Sequence, residues 1–392
     1  MATLRILQVH TYLRSEKVNP RSGGKSRASL MLSRYLLDHG HEVAVYSWPE
    51  RIWGDAVPFA TGAEKPALAL PTLTVPPITR LGVDLFRLRR TRFPGRSNRS
   101  IWIDLCFAAG LRAAIHKFKP DILHCHQTDS DVPALLGMLG RPVPAILTHH
   151  SGKSGPQLNA YNRILFISRT MQMEICERID YLRENTAVTY CPILPIFQEG
   201  TILSASRRRG VVCVGVLTKA KGVDLLLEAY RASASLRMHP LTLCGAGEDE
   251  EEFRRFVKHY SLPVHFAGRV NPFEVRKILS SAKILVNPSR MEGFSIALLE
   301  SLACGTPFIG WASQVAELEG WWQQRVGYPF DARSQSALDL VKILSCALDD
   351  PLWTSSVRAG LAKRARESFS IERFGLENIH QYHLLLDGQC RG

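Results

Sequence analysis

Short apolar runs alternate with amphipathic stretches along the chain, in the rhythm of a doubly wound α/β sheet. Leu4 to His10 reads as a buried parallel strand. Ala28 to His39 carries Leu30, Leu32, Tyr35, Leu36 and Leu37 at helical spacing, and His41 to Tyr46 is the next strand. A helix over Ile101–Phe118 follows. Strands are expected at Pro120–His126, Pro144–Gly152 and Arg163–Ser168, and a helix at Arg169–Ile179. The pattern restarts at Val211. Strand Val211–Leu217, helix Val223–Ala234, strand Leu241 onward into the Gly245–Gly247 turn, helix 249–259, strand Val264–Ala267 and helix 272–281 succeed one another. Strand Lys283–Asn287, a helix from Ser295, strand Pro307–Gly310, helix 334–348 and an amphipathic tail from Ile371 to Leu386 complete the series. Two βαβ series predict two Rossmann-like domains, 1–192 and 208–370, facing across a cleft, with 193–207 as linker.

The stretch Val286 to Pro307 organises the second series. A strand runs into a loop holding Glu292 and Gly293, a helix starts near Ser295, and Gly305-Thr306-Pro307 stops it. Strand, Gly-containing loop and helix together put free amides and the positive end of a helix dipole at a strand's carboxyl end, where phosphate binds well. Glu300, about one turn into the helix, lies within reach of the sugar hydroxyls of a nucleotide whose phosphates sit at the helix start. Read by themselves, the same residues are also a βα unit with two solvated carboxylates. Gly23-Gly24 before the first helix lets a backbone approach a diphosphate, or is a flexible turn.

Composition narrows the classes. The chain has 392 residues, 45% of them hydrophobic and 22% charged, enough for two cored domains. Met1 to Val9 enters a strand at once, so no signal peptide is expected. The most apolar region, Ala67 to Phe86, is broken by prolines and Arg80, so no transmembrane helix is expected either. Nine scattered cysteines without a C-x-x-C pair suit a reducing, cytoplasmic setting. The net charge of +13 is uneven: residues 1–190 carry +10 of it. Seven arginines between Arg80 and Arg99 alternate with Leu81, Val83, Leu85, Phe86, Leu88 and Phe93. That segment is either an amphipathic anchor for an anionic membrane surface or a solvated helix-loop face. Nucleic acid is disfavoured, because the arginines are not interleaved with stacking aromatics beyond Phe86 and Phe93. Asp129-Ser130-Asp131 has metal-motif spacing, but three residues match often by chance; His124-x-His126 has it too, without an evident third ligand, and reads better as a strand-end contribution to the cleft.

Glu292-Gly-Phe-Ser-Ile-Ala-Leu-Leu-Glu300, with Ala303-Cys-Gly-Thr-Pro307 behind it, resembles the E-x7-E region of retaining glycosyltransferase family 4. The resemblance extends over nearly the whole chain and is strongest over 211–310. It implies the GT-B fold, with the final helix (371–392) crossing back onto the N-terminal domain. It implies a nucleotide-diphosphate-sugar donor, no metal and no other cofactor, and a glycan or lipid-linked acceptor. Glu292 then holds the donor sugar's hydroxyls and Glu300 the ribose. Gly23 and Gly24 match the family's Gly-Gly loop. Thr148-His149-His150-Ser151 resembles the strand-end histidine that faces the transferred sugar, with His150 the better match and His149 the fallback. Lys221, the amides of Ser295 and Ile296, and Gly293 and Phe294 surround the diphosphate, and Val270 flanks the base.

One departure is plain. The family's arginine after the strand glycine falls at Val216, and Lys219 is the residue nearby that offers a replacement charge, without an arginine's bidentate fork. The resemblance implies retaining transfer: the acceptor attacks on the face the diphosphate leaves, and the diphosphate takes its proton. The expected activity is hexosyl transfer in cell-envelope glycoconjugate or polysaccharide synthesis, at the inner face of a membrane. The rivals are a GT-B nucleotide-sugar epimerase and, because of Val216, a non-catalytic nucleotide-sugar-binding scaffold.

Overall fold

The computed structural model describes residues 2–10, 24–47, 72–74, 110–126, 143–150, 158–179, 184–290 and 292–389. The chain divides into two compact units. One comprises 1–59, 66–190 and 374–392; the other comprises 60–65 and 191–373.

The first unit is a parallel seven-stranded sheet. Its strands are β1 (Arg5–Val9), β2 (Glu42–Ser47), β3 (Thr72–Thr74), β4 (Ile122–Cys125), β5 (Ala145–His149), β6 (Arg163–Phe166) and β7 (Thr186–Val188), in the order β3-β2-β1-β4-β5-β6-β7. The central strands are apolar and buried on both faces. Ile6, Leu7, Leu123, Ile146 and Leu147 are all but fully buried. Such a side chain contributes about 1.5–3 kcal/mol on burial. Helices α1 (Gly24–Asp38) and α2 (110–118) lie in the first half of the unit. α3 (Arg169–Cys176) is capped by Ser168, whose hydroxyl accepts from the Met171 amide at 3.1 Å. The sequence pattern located every central strand. It missed β3 and β7, which are three residues each and sit at the sheet edges.

The second unit repeats the plan with six parallel strands. They are β8 (Val211–Val214), β9 (Leu241–Cys244), β10 (Val264–Gly268), β11 (Ile284–Val286), β12 (Phe308–Gly310) and β13 (Gly327–Pro329), in the order β10-β9-β8-β11-β12-β13. This is the dinucleotide-fold order, two strand series wound outward from the middle. Its helices are α4 (Val223–Ala232), α5 (Glu250–His259), α6 (Pro272–Ser281), α7 (Ile296–Ala303), α8 (Ala312–Trp322), α9 (Ala337–Asp349) and α10 (Ser355–Ser368). α4 stops two residues before the expected Ala234, because Ser233 is extended (φ −127°, ψ 116°). α9 starts at Ala337 rather than 334, fixed by a capping box between Ser336 and Asp339. The stretch 193–207 packs with this unit: Leu194 and Phe197 are buried, and the Ile193 amide donates to the Phe369 carbonyl at 2.9 Å.

The last helix, α11 (Ile371–Gln389), begins in the second unit and from Phe374 onward belongs to the first. A Cβ at Gly375 would lie 2.0 Å from the Tyr35 ring, so α11 and α1 touch at a glycine. Phe374, Asn378 and Tyr382 form its buried stripe at four-residue spacing.

Candidate active site

In the second sheet the strand order reverses between β8 and β11, and ligands of open α/β sheets gather at the carboxyl ends beside such a reversal. Two loops leave there side by side. The β8 loop closes in a single 3₁₀ turn, Lys219–Lys221, ended by Gly222 at φ 70°. A Cβ on Gly222 would lie 1.8 Å from the carbonyl oxygen of Pro288, in the β11 loop. Left-handed backbone and close approach both require glycine. The approach brings Lys221 Nζ to 2.6 Å from Glu292 Oε2, with 33% and 18% of the two side chains exposed.

Arg290 bonds to the β8 loop from the other side. Its amide donates to the Ala220 carbonyl at 3.0 Å, and its guanidinium takes both oxygens of Asp224, at 2.7 and 2.8 Å. The same guanidinium donates to the Lys219 carbonyl. Lys219 itself is turned toward α5. Its amide donates to Asp249 Oδ2 at 2.7 Å and its ammonium pairs with Glu252 at 2.8 Å. The hydrogen bond to Glu252 holds the Lys219 ammonium above the usual lysine range. Val216 is half-buried, and its carbonyl accepts from the Thr218 amide at 3.0 Å.

The β11 loop runs straight into α7. Ser295 takes the N-cap position in extended backbone (φ −77°, ψ 117°) without a side-chain cap bond, which leaves first-turn amides of α7 for an incoming acceptor atom. Phe294 is buried just before it, and the Gly293 carbonyl accepts from Gln314 Nε2 of α8 at 3.2 Å. Ile296 is half-buried at the first helical position. Glu300, in the following turn, is only 4% exposed. Val270 lies just past β10, the edge strand, two strands from the reversal, and is half-buried. The cradle thus gathers Lys221, from the end of β8, with Glu292, Gly293, Phe294, Ser295 and Ile296, from the end of the neighbouring β11. Lys219 and Val270 lie to its β9–β10 side.

The first sheet reverses between β1 and β4. Those strands end in His10 and His126, whose rings stack at 4.7 Å. His126 also stacks on His124 at 4.2 Å, and His150, just past β5, lies 5.9 Å from His126. His10 shares a 2.7 Å bond with Ser29, and His124 is held by Tyr382 at 2.6 Å and Thr148 at 2.7 Å. Both ring nitrogens of His126 are buried, and neither has a hydrogen-bond partner among the described residues. Burial drives His10 and His124 down to about 3 and His126 well below the ordinary histidine range, so the stack is neutral at pH 7. His149 turns the other way, onto Phe166 at 5.3 Å. Gly24 is the first residue of α1; Gly23, Asp129–Asp131 and Arg80–Arg99 lie outside the described residues. Among the described residues no group of three or more His, Cys, Asp or Glu is arranged to hold a metal ion, and no helix is long and apolar enough to cross a membrane.

The sequence reading missed Arg290, Asp224 and Asp249. Arg290 stands two residues from Glu292 and Asp224 three from Lys221, so proximity was the available signal. Their pairing across 66 residues was not visible.

Two family models match the chain: Glycosyltransferase Family 4 over residues 22–194 and Glycosyl transferases group 1 over residues 200–350. A GDP-mannose-dependent monoacylated alpha-(1-6)-phosphatidylinositol monomannoside mannosyltransferase of Corynebacterium glutamicum is 28% identical over 44% of this chain and 46% of its own length. The chain spans about half the length of the curated relatives it matches first. Among solved structures, sucrose-phosphate synthase from Thermosynechococcus elongatus superposes with a TM-score of 0.71 at 17% identity, over 98% of this chain and 100% of that one. Anabaena HepE in complex with UDP and glucose superposes with a TM-score of 0.69 at 15% identity, over 96% and 98%. At these identities the structural likeness carries the fold.

Proposed function

We propose that this chain, which belongs to the group 1 glycosyltransferases of family 4, moves a sugar from a nucleotide-diphosphate donor to a hydroxyl of a glycan or lipid-linked acceptor. The transfer retains the anomeric configuration and serves cell-envelope glycoconjugate or polysaccharide synthesis. Its two Rossmann-like units are those of the GT-B fold. The observation that carries the reading is the Lys221–Glu292 pair, 2.6 Å apart, beside the uncapped start of α7 at the sheet reversal.

The chemistry follows from charge. As the glycosidic bond breaks, negative charge grows on the leaving diphosphate. The Lys221 ammonium and the amides of Ser295 and Ile296 stabilise that charge, and one such fixed donor is worth about 3 kcal/mol. The Glu292 carboxylate accepts hydrogen bonds from the sugar's hydroxyls, and Gly293 and Phe294 bring the backbone close. Glu300, buried one turn on, takes the ribose hydroxyls, and Val270 flanks the base. His150 is the candidate contact of the transferred sugar, and Gly23 and Gly24 are the candidates for close backbone approach to the diphosphate. The departing diphosphate accepts the acceptor's proton, so no separate base is needed. No cation is needed either, and donor turnover is expected to persist in EDTA; its loss there would reject the metal-free reading. Arg80–Arg99 is the segment for an anionic membrane surface, and co-sedimentation with phosphatidylglycerol vesicles tests it.

Val216 favours a second reading, a chain that binds a nucleotide-sugar without turning it over. One experiment separates the two. UDP-glucose and GDP-mannose are offered to wild type, Glu292→Ala and Lys221→Ala, with binding and donor cleavage followed together. Slow cleavage of one donor by wild type, reduced about 100-fold in each variant, is expected for the transferase. Binding without cleavage supports the scaffold. Binding that ignores both substitutions removes this site from either account. NMR of the product's anomeric proton tests retention.

A further inference from the structure

We infer that Arg290 and Asp224 are positioning residues of the donor site: their fork locks the Lys219–Lys221 turn against the β11 loop and so fixes the Lys221 ammonium beside Glu292. The inference rests on the transferase reading for what the ammonium does, but the lock itself is geometry.

Lys221 sits on a single 3₁₀ turn, and such a turn has few bonds of its own: the Lys221 amide to the Thr218 carbonyl at 3.0 Å and the Gly222 amide to the Lys219 carbonyl at 2.9 Å. Left to these, a lysine's four-carbon stem would sweep its charge over several ångströms. Arg290 supplies the missing constraint from the neighbouring loop. Its amide holds the Ala220 carbonyl, and its guanidinium holds the Lys219 carbonyl, so two consecutive peptide groups of the turn are gripped. The guanidinium is then fixed by both oxygens of Asp224, in the first turn of α4. A planar bidentate pair of this kind sets direction as well as distance.

Placement matches the role. Arg290 is two residues from Glu292, and Asp224 is three residues from Lys221, so one fork joins the segments that carry the two site charges. Gly222 completes the lock, because its missing side chain lets the segments meet at Pro288. Asp224 also neutralises Arg290, so the guanidinium orients Lys221 without competing with it for the diphosphate.

The test separates positioning from folding and from the parent reading. Arg290→Ala, Arg290→Lys and Asp224→Asn are compared with wild type for cleavage of UDP-glucose and GDP-mannose, alone and combined with Lys221→Ala. Groups that orient a catalytic group typically cost 10–100-fold when removed. Arg290→Ala is expected to fall in that range on wild type, and to cost less than 3-fold once Lys221 is already alanine, because its action runs through that lysine. Arg290→Lys, which keeps the charge but not the fork, is expected to remain impaired. Hydrogen exchange supplies the readout that needs no turnover: amides of 218–223 are expected to exchange at least 10-fold faster in Arg290→Ala, with β9 unchanged. Unchanged exchange at 218–223 overturns the lock. Faster exchange with an equal, additive loss in the Lys221→Ala background overturns the route through Lys221. If wild type cleaves and binds neither donor while the exchange result holds, the transferase reading fails and the lock stands.

Discussion

Arg208 enters the core of the second unit, and among the described residues no carboxylate pairs with it. Its fully buried guanidinium donates to the carbonyls of Leu203, Ala282 and Cys304 and to the Thr306 hydroxyl, at 3.2, 3.2, 2.7 and 2.6 Å. Arg358 does the same nearby, donating to Trp353, Lys283 and Gly305. Burial pushes both down to about 10, still charged at pH 7. Together they tie off the Cys304–Thr306 segment that ends α7, the helix whose other end faces the site. Arg208→Ala leaves several buried acceptors orphaned and is expected to cost about 3–5 kcal/mol in urea unfolding. Arg208→Lys recovers little, since an ammonium cannot reach four acceptors at fixed angles. Gly222→Ala acts differently. It must leave φ 70° and clear the Pro288 carbonyl, so it is expected to weaken donor binding at least tenfold, read by nucleotide titration. Glu292, Lys221 and Gly222 were legible because the residues themselves carry the signal. Arg208 was not, because nothing near it in sequence announces that its partners are backbone carbonyls and a threonine hydroxyl up to 98 residues away.

At the scale of elements, the carboxyl ends of β1 and β4 stack three buried imidazoles, His10, His126 and His124. Each is neutral when folded and titrates near 6.5 when unfolded. Above pH 6.5 both states are neutral, and the stack imposes no proton-linked cost. Below it the unfolded chain takes protons that the folded chain refuses, down to about 3 for His10 and His124. Stability of the first unit therefore falls as pH drops, with a limiting slope of about 1.4 kcal/mol per pH unit for each histidine. His126→Phe keeps the stacking and removes one titration, so it is expected to flatten the decline between pH 6 and 4.5 in urea melts. An unchanged slope would assign the decline to other groups. The strands that carry these histidines were legible because central parallel strands are apolar on both faces. β13 was not: Gly327-Tyr-Pro329 has a glycine and a proline in three residues, tolerable because it is an edge strand. α10 was missed for the opposite reason, since Ser355–Ser368 is mostly polar and is held by Arg358 and Arg366 from within.

For the whole molecule, two units with separate cores predict two unfolding transitions, and their chemistries make the transitions identifiable. The buried histidines all belong to the first unit. Acidification should therefore lower one transition preferentially. The proposed donor site belongs to the second unit, through Lys221, Glu292 and the start of α7. A nucleotide diphosphate should raise that unit's transition, by about 2.7 kcal/mol at a hundred times its dissociation constant. Calorimetry at pH 7.5 and 5.5, with and without UDP or GDP, sets the two levers against each other. The expected result is one transition that responds to protons and another that responds to nucleotide. In Glu292→Ala and Lys221→Ala the nucleotide shift should shrink while the acid shift stays, because those side chains lie far in sequence from every buried histidine. A nucleotide that raised the acid-sensitive transition instead would move the donor site to the first unit, and with it the roles given to Lys221 and Glu292.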